Sequence, residues 1–228
     1  MHCPLRSIVL YAPVFDLDTK NFAAIRDGMI TFAPRQIFAR EGEIPRQVYS
    51  LYAGWAFQYR LLGDGRRQIF SFLLPGDFIG VRPLNDSPLC YSVQALTRVE
   101  ACSFDTDELA RLFQGRNDLK KKIPTNFYQE TSLLASRLVD VGRRTATERI
   151  IRLILEIEGH LKSRGLVSEN TFPFPLRQTH IADALGLTAV HVNRTINVLR
   201  REGLITFRRG SMTLEDRNAL MEIAGLSQ

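Results

Sequence analysis

Cysteine is scarce: Cys3, Cys90 and Cys102 are three in 228 residues, odd in number and far apart. That excludes a disulfide framework and any zinc-binding spacing, and it points to a reducing, cytoplasmic setting. No apolar run approaches the ~18–20 residues that a membrane-spanning helix needs, so no membrane partner is expected. Residues 1–8 hold no long apolar run either, and no signal peptide is expected from them. Internal repeats and low-complexity segments are missing, which argues against repeat arrays and disordered tracts. The chain also lacks a nucleotide-binding glycine loop, paired carboxylates beside a candidate nucleophile, and metal-ligand spacing. An enzyme is therefore not expected, and no metal or cofactor is identifiable.

What is present is a globular composition, with 45% apolar residues. A chain of this length forms one large domain or two small ones and buries a core without staples. The formal net charge is +6. Much of it sits in one stretch, where Arg177, Arg194, Arg200, Arg201, Arg208 and Arg209 face only Asp183 and Glu202. A concentrated basic segment suits a polyanion, though it serves solubility equally well.

Residues 30–105 read as β structure. Short apolar runs at 35–38, 48–52 and 55–59 alternate with the turn signals Gly42, Gly54, Gly63-Asp64-Gly65 and Pro75-Gly76-Asp77. Gly63-Asp64-Gly65 predicts a hairpin. Short strands at this spacing suggest a sandwich or barrel. From 106 to 164 the pattern turns helical. Pro124 marks a helix start, since proline is tolerated in a first turn. Beyond it, Phe127, Leu134, Leu138 and Val141 fall near heptad spacing and form half of a helix–helix contact, within the chain or with a second copy. Gly142-Arg143-Arg144 reads as a hinge, and Thr145 with Glu148 as a capping box opening the next helix. That helix runs to between Gly159 and Gly165, and a polar, proline-containing link follows at 168–175.

The informative stretch is 177–205, RQTHIADALGLTAVHVNRTINVLRREGLI. Two short helices are expected, joined by a turn at Gly186, with small Ala182 allowing a close crossing and Leu185 and Leu187 closing a mini-core. Thr188 is a good N-cap for the second helix. There Val192, Ile196 and Leu199 face inward, while Val190, Asn193, Arg194, Asn197 and Arg201 line the opposite face. Arginine pairs bidentately with guanine and asparagine with adenine in the major groove, which admits a helix. The pattern therefore points to a helix-turn-helix with its second helix as the reader, rather than to an ordinary amphipathic helix with a solvated polar face. Gln178, Thr179, Thr188 and His191 flank the reading face. Residues 204–214 then read as two strands around Arg208-Arg209-Gly210, a wing whose arginines suit phosphates.

With these elements in order, the chain resembles the Crp/Fnr family of bacterial transcription regulators over nearly its whole length. Gly65-Arg66-Arg67-Gln68-Ile69, Leu74-Pro75-Gly76-Asp77-Phe78-Ile79-Gly80 and Ser92-Val93-Gln94-Ala95-Leu96-Thr97 resemble the family's cyclic-nucleotide-binding-like jelly roll. The resemblance implies an α+β fold in three parts. These are a β jelly-roll sensor at 1–115, a long dimerisation helix at 116–142 and a winged helix-turn-helix at 143–228. It implies a homodimer on a palindromic double-stranded DNA site, with RNA polymerase as a further partner. The effector pocket would lie around Gly80, Val81, Arg82, Tyr91 and Ser92. Members that bind cyclic AMP carry a Glu after the Phe-Ile-Gly turn and an Arg-Ser or Arg-Thr pair further on. Here Val81 and Tyr91-Ser92 stand in those places, so cyclic-nucleotide binding is not expected: a buried phosphate would lack its cation. The N-terminal cysteine cluster of the iron–sulfur branch is reduced to Cys3. The family's best-known readers carry Glu where Val190 stands; valine instead suits a thymine methyl, so a distinct half-site is expected.

Overall fold

The alternation of apolar and polar residues from 26 onward is resolved into strands whose two faces differ in burial. The computed structural model describes residues 25–80, 87–114 and 135–226. The chain divides into two compact units, Met1–Glu130 and Thr131–Gln228. In the first unit the strands are β1 (Arg26–Phe32), β2 (Ile37–Ala39), β3 (Gln47–Ala53), β4 (Ala56–Leu61), β5 (Arg67–Leu73), β6 (Phe78–Ile79), β7 (Ser92–Ala95) and β8 (Val99–Asp105). They form two four-stranded antiparallel sheets, ordered β1-β8-β3-β6 and β2-β7-β4-β5. Two such sheets make the expected jelly roll. Helix α1 (Thr106–Gln114) follows, with the Asp105 carboxylate accepting from the Asp107 and Glu108 N–H groups at its start.

The core of the roll takes Phe32, Leu51, Ile79, Val99 and Ala101 from one sheet and Ala39, Ala56, Leu73, Val93 and Ala95 from the other, with Leu89 between strands. Phe32 stacks on Phe38 with ring centroids 4.2 Å apart and meets Tyr49 edge-on at 5.4 Å. Burying a side chain of the Leu or Phe class contributes about 1.5–3 kcal/mol. Gly54, at φ 84°, is required between β3 and β4, because a Cβ there would stand 2.0 Å from the Arg98 carbonyl oxygen.

The first described element of the second unit is a helix, α2 (residues 135–143), that continues through Gly142 and Arg143. The chain leaves helix at Arg144 and Thr145, so the break falls on the last residue of the expected Gly142-Arg143-Arg144 hinge and the one after it, while the glycine itself stays helical. The cause is the capping box. Thr145 adopts an extended backbone and accepts from the Glu148 N–H (3.3 Å), while the Glu148 carboxylate accepts from the Thr145 N–H (2.6 Å) and hydroxyl (2.8 Å). These bonds start α3 (Ala146–Lys162) and forbid helix at the cap itself.

The Thr145 N–H first, and its hydroxyl second, hold the Glu148 carboxyl below the usual carboxylate range. A depressed acid stabilises the fold fully above its unfolded pKa, and that share is lost as pH falls through the folded value. Glu148→Gln keeps a capping acceptor but does not titrate. Acid titration by circular dichroism should therefore show the variant losing less stability below the ordinary glutamate range. An identical acid profile would contradict the assignment.

Helix α3 is apolar on several faces because α4 (Gln178–Leu185), α5 (Ala189–Arg201) and α6 (Arg217–Ile223) all pack on it. Its one buried acid, Glu158, meets Arg217 at 3.2 Å and Lys162 at 3.9 Å, tying α3 to α6. The segment at 168–175, read as a plain link, contains β9 (Thr171–Pro173), which pairs with β11 (Ser211–Leu214) beside β10 (Ile205–Arg208). A three-residue strand ending in proline carries almost no local signal; its partner lies 40 residues away.

An ion network clasps α2 to α3. Arg137 pairs with Glu156 at 2.7 Å. Asp140 lies 2.8 Å from Arg144 and 2.9 Å from Arg152. Both are close charge contacts, poorly aligned as hydrogen bonds. Arg152 also donates to the Ser136 hydroxyl at 3.3 Å, and Arg144 and Arg152 each donate to the Ala224 carbonyl at 3.4 Å.

Candidate nucleic-acid interface

The reading unit is assembled from local signals. Helix α4 ends at Gly186, whose φ of 64° lies in the left-handed region and whose N–H reaches the Ala182 carbonyl. An alanine Cβ would meet nothing there, so the cost of Gly186→Ala is conformational alone. A loss of about 1–2 kcal/mol is expected from denaturant unfolding. No loss would mean that the turn relaxes without its glycine.

Thr188 caps α5 by accepting from the His191 N–H at 3.2 Å. The buried side of α5 is Val192, Thr195 and Leu199, with Ile196 half-buried. Thr195 is an addition to the expected inward face, hidden because threonine reads as polar. Val190, His191, Asn193, Arg194, Asn197 and Arg201 are all exposed, Val190 at 72%. Gln178 and Thr179, at the start of α4, are exposed beside them. The wing turn is Arg209-Gly210, with φ of 51° and 79°. Two positive φ values in a two-residue loop fit the hairpin turn that matches strand twist. Arg208 and Arg209 project from it, exposed.

Two concavities flank the exposed side of α5. One, of about 370 Å³, is lined by Gln178, Ala189, Val190, Asn193 and Arg194. The other, of about 460 Å³, is lined by residues of α5 and β10, including Asn197, Arg200, Arg201, Phe207 and Arg208. Arg200 and Phe207 were not on the expected reading face. Arg200 could have been found from its place in the basic run, whereas Phe207 needed the wing's register. Among the described residues, Arg194, Arg200, Arg201, Arg208 and Arg209 form no ion pair with an acid of this chain. Five arginines without an ion pair leave this unit's surface strongly basic, a charge that suits a polyanion.

In the roll, Gly80 has φ 84°, and a Cβ would stand 3.1 Å from the Gln47 carbonyl oxygen. Tyr91 packs against the core and meets Phe70 edge-on at 5.9 Å. The Ser92 hydroxyl accepts from the Glu41 N–H at 3.0 Å. Val81, Arg82, Phe127 and Leu134 lie outside the described residues, as does Pro124. Leu138 (76% exposed) and Val141 (49%) present apolar surface on α2. No helix among the described residues is long and apolar enough to cross a membrane.

A β roll followed by a winged helix-turn-helix with exposed arginines on its second helix and wing is the architecture of a DNA-binding regulator. Residues 29–116 match the family model for the cyclic nucleotide-binding domain, and residues 148–223 that for the Crp-like helix-turn-helix domain. The chain is 32% identical to the transcriptional activatory protein AadR of Rhodopseudomonas palustris, over 90% of this chain and 84% of that protein. It is 30% identical to the nitrogen fixation regulation protein FixK of Bradyrhizobium diazoefficiens, over 94% and 89%. The structure of FixK2 from Bradyrhizobium japonicum is similar with a TM-score of 0.78 at 25% identity, covering 86% of this chain and 96% of that one. The chain belongs to the Crp/Fnr family of transcription regulators. It is a DNA-binding regulator and not an enzyme.

Proposed function

We propose that the protein is a cytoplasmic homodimer that binds a palindromic DNA site and acts on transcription through RNA polymerase. The observation that carries this reading is the row of exposed residues on α5, with its arginines free of ion pairs among the described residues, continuing into the wing. Arg194 would take a guanine, Val190 a thymine methyl and Asn193 a neighbouring base. Gln178, Thr179, Thr188, His191, Asn197 and Arg201 would flank them, and Arg208 and Arg209 would hold phosphates. The division into a roll at 1–115, a dimer helix at 116–142 and a reading domain at 143–228 follows the same logic. Exposed Leu138 and Val141 support pairing of α2 with a second copy, an arrangement in which Phe127 and Leu134 continue the seam. AadR is named as a transcriptional activatory protein, which favours activation here.

The roll would work without a cyclic nucleotide. Its interior is packed with aromatic and aliphatic side chains, Tyr91 rests against them, and the Ser92 hydroxyl already accepts a backbone N–H. With Val81 and Tyr91-Ser92 standing where cyclic-AMP-binding members carry Glu and an Arg-Ser or Arg-Thr pair, the pocket around Gly80, Val81, Arg82, Tyr91 and Ser92 would leave a cyclic phosphate without its cation. Light scattering of the full chain on a selected duplex tests the assembly. Two chains per duplex are expected, and a stable complex of one chain per duplex would overturn the reading.

A further inference from the structure

The reading face carries an ordered row of carboxamides. Asn193 Nδ2 donates to Gln178 Oε1 at 3.1 Å, and Asn197 Nδ2 donates to Asn193 Oδ1. Gln178 belongs to α4 and the two asparagines to α5, so the row bridges the two helices of the motif. A carboxamide has two N–H donors and two acceptor lone pairs. Asn193 spends one donor on Gln178 and one lone pair on Asn197. One N–H and one lone pair remain, the set that a bidentate contact with adenine N7 and N6–H₂ uses. Turning Asn193 alone would set N–H against N–H and oxygen against oxygen, so the row turns as a unit or not at all. Asn193 also shares the 370 Å³ concavity with Gln178, Val190 and Arg194.

We propose that Gln178 is a specificity-positioning residue. Through this row it fixes the Asn193 carboxamide so that the half-site is read as adenine beside the guanine taken by Arg194. The inference rests on α5 being the reading helix. Water weakens such exposed bonds in the free protein. Entry into the groove removes that water and strengthens them when orientation matters. The row thus lowers the ordering cost of a bidentate contact without itself needing to touch a base.

The test is selection from a randomised duplex pool by the full chain and by Asn193→Ala, Gln178→Ala and Gln178→Glu. The wild type is expected to enrich adenine next to guanine in each half-site, and Asn193→Ala to lose the adenine. Gln178→Ala should weaken the adenine preference about 3- to 10-fold while leaving the guanine unchanged. Gln178→Glu keeps an oxygen for the Asn193 N–H and should retain the adenine preference, while its charge lowers affinity for all sequences alike. The proposal is overturned if Gln178→Ala keeps the full adenine preference, if it weakens adenine and guanine equally, or if Gln178→Glu behaves as the alanine variant does. A wild-type site with guanine but a different neighbouring base overturns the adenine assignment alone. Failure of the wild type to enrich any site overturns the DNA-reading role of α5 and this proposal with it.

Discussion

Replacing Arg194 with alanine is expected to cost about 1–3 kcal/mol on the selected DNA site and to relax the base preference at one position per half-site. The expectation follows from position as well as type. Arg194 lies on the exposed face of α5, one residue after Asn193, with no acid of its own chain among the described residues to hold it back. Its guanidinium is therefore available for the O6 and N7 acceptors of guanine in the fork geometry that arginine presents. On random-sequence duplex the loss should be much smaller, because non-specific affinity comes from charge summed over many phosphate contacts. Arg209→Ala is the contrasting case. A wing arginine on phosphate should weaken all sequences alike and reduce the salt slope by about one. Titrations of both variants on specific and random duplexes separate the two roles. An equal loss on both duplexes for Arg194→Ala would remove it from base reading.

Breaking the clasp around Asp140 is the second large effect. Asp140 is 14% exposed and stands between Arg144 and Arg152, themselves only 25% and 15% exposed. Asp140→Ala leaves two partly buried guanidiniums without their contacting carboxylate and with only Glu148 to act on them from further off, which is costlier than never having placed them there. The contacts are poorly aligned, and the arginines keep the Ser136 hydroxyl and the Ala224 carbonyl, so a loss of about 1–3 kcal/mol is expected rather than the larger figures for fully buried pairs. A double-mutant cycle with Arg152→Ala gives the sharper reading. Unfolding free energies should show a coupling of at least about 0.5 kcal/mol, because the two residues share one network. Additive effects would mean that the charges are merely adjacent. Since the clasp joins α2 to α3, on which α5 packs, both variants should also shift DNA affinity.

Much of this was legible in the sequence where the signal is local. The Gly63-Asp64-Gly65 hairpin, the Thr145–Glu148 capping box, the Gly186 turn and the Arg209-Gly210 wing are each set by a few adjacent residues whose chemistry permits one conformation. The face of α5 was legible because helical period sorts Asn193, Arg194 and Asn197 from Val192 and Leu199. What escaped depends on distant partners. β9 exists because β11 pairs with it, and Thr195 is buried because α5 is covered on that side. The break at Arg144 and Thr145, with Gly142 still helical, shows a cap outranking a glycine, since helix tolerates glycine at about 1 kcal/mol, whereas the reciprocal cap needs an extended backbone. The Asp140 clasp and the carboxamide row join helices that sequence alone places only approximately.

The α5 helices of two copies are expected to read a symmetric DNA site without an added ligand. Selection from a randomised duplex pool by the purified wild-type chain, followed by sequencing, tests it most directly. An inverted repeat is predicted, with half-site centres about one helical turn (~34 Å) apart and guanine in each half. Enrichment of an unrepeated site, or of none, would contradict it.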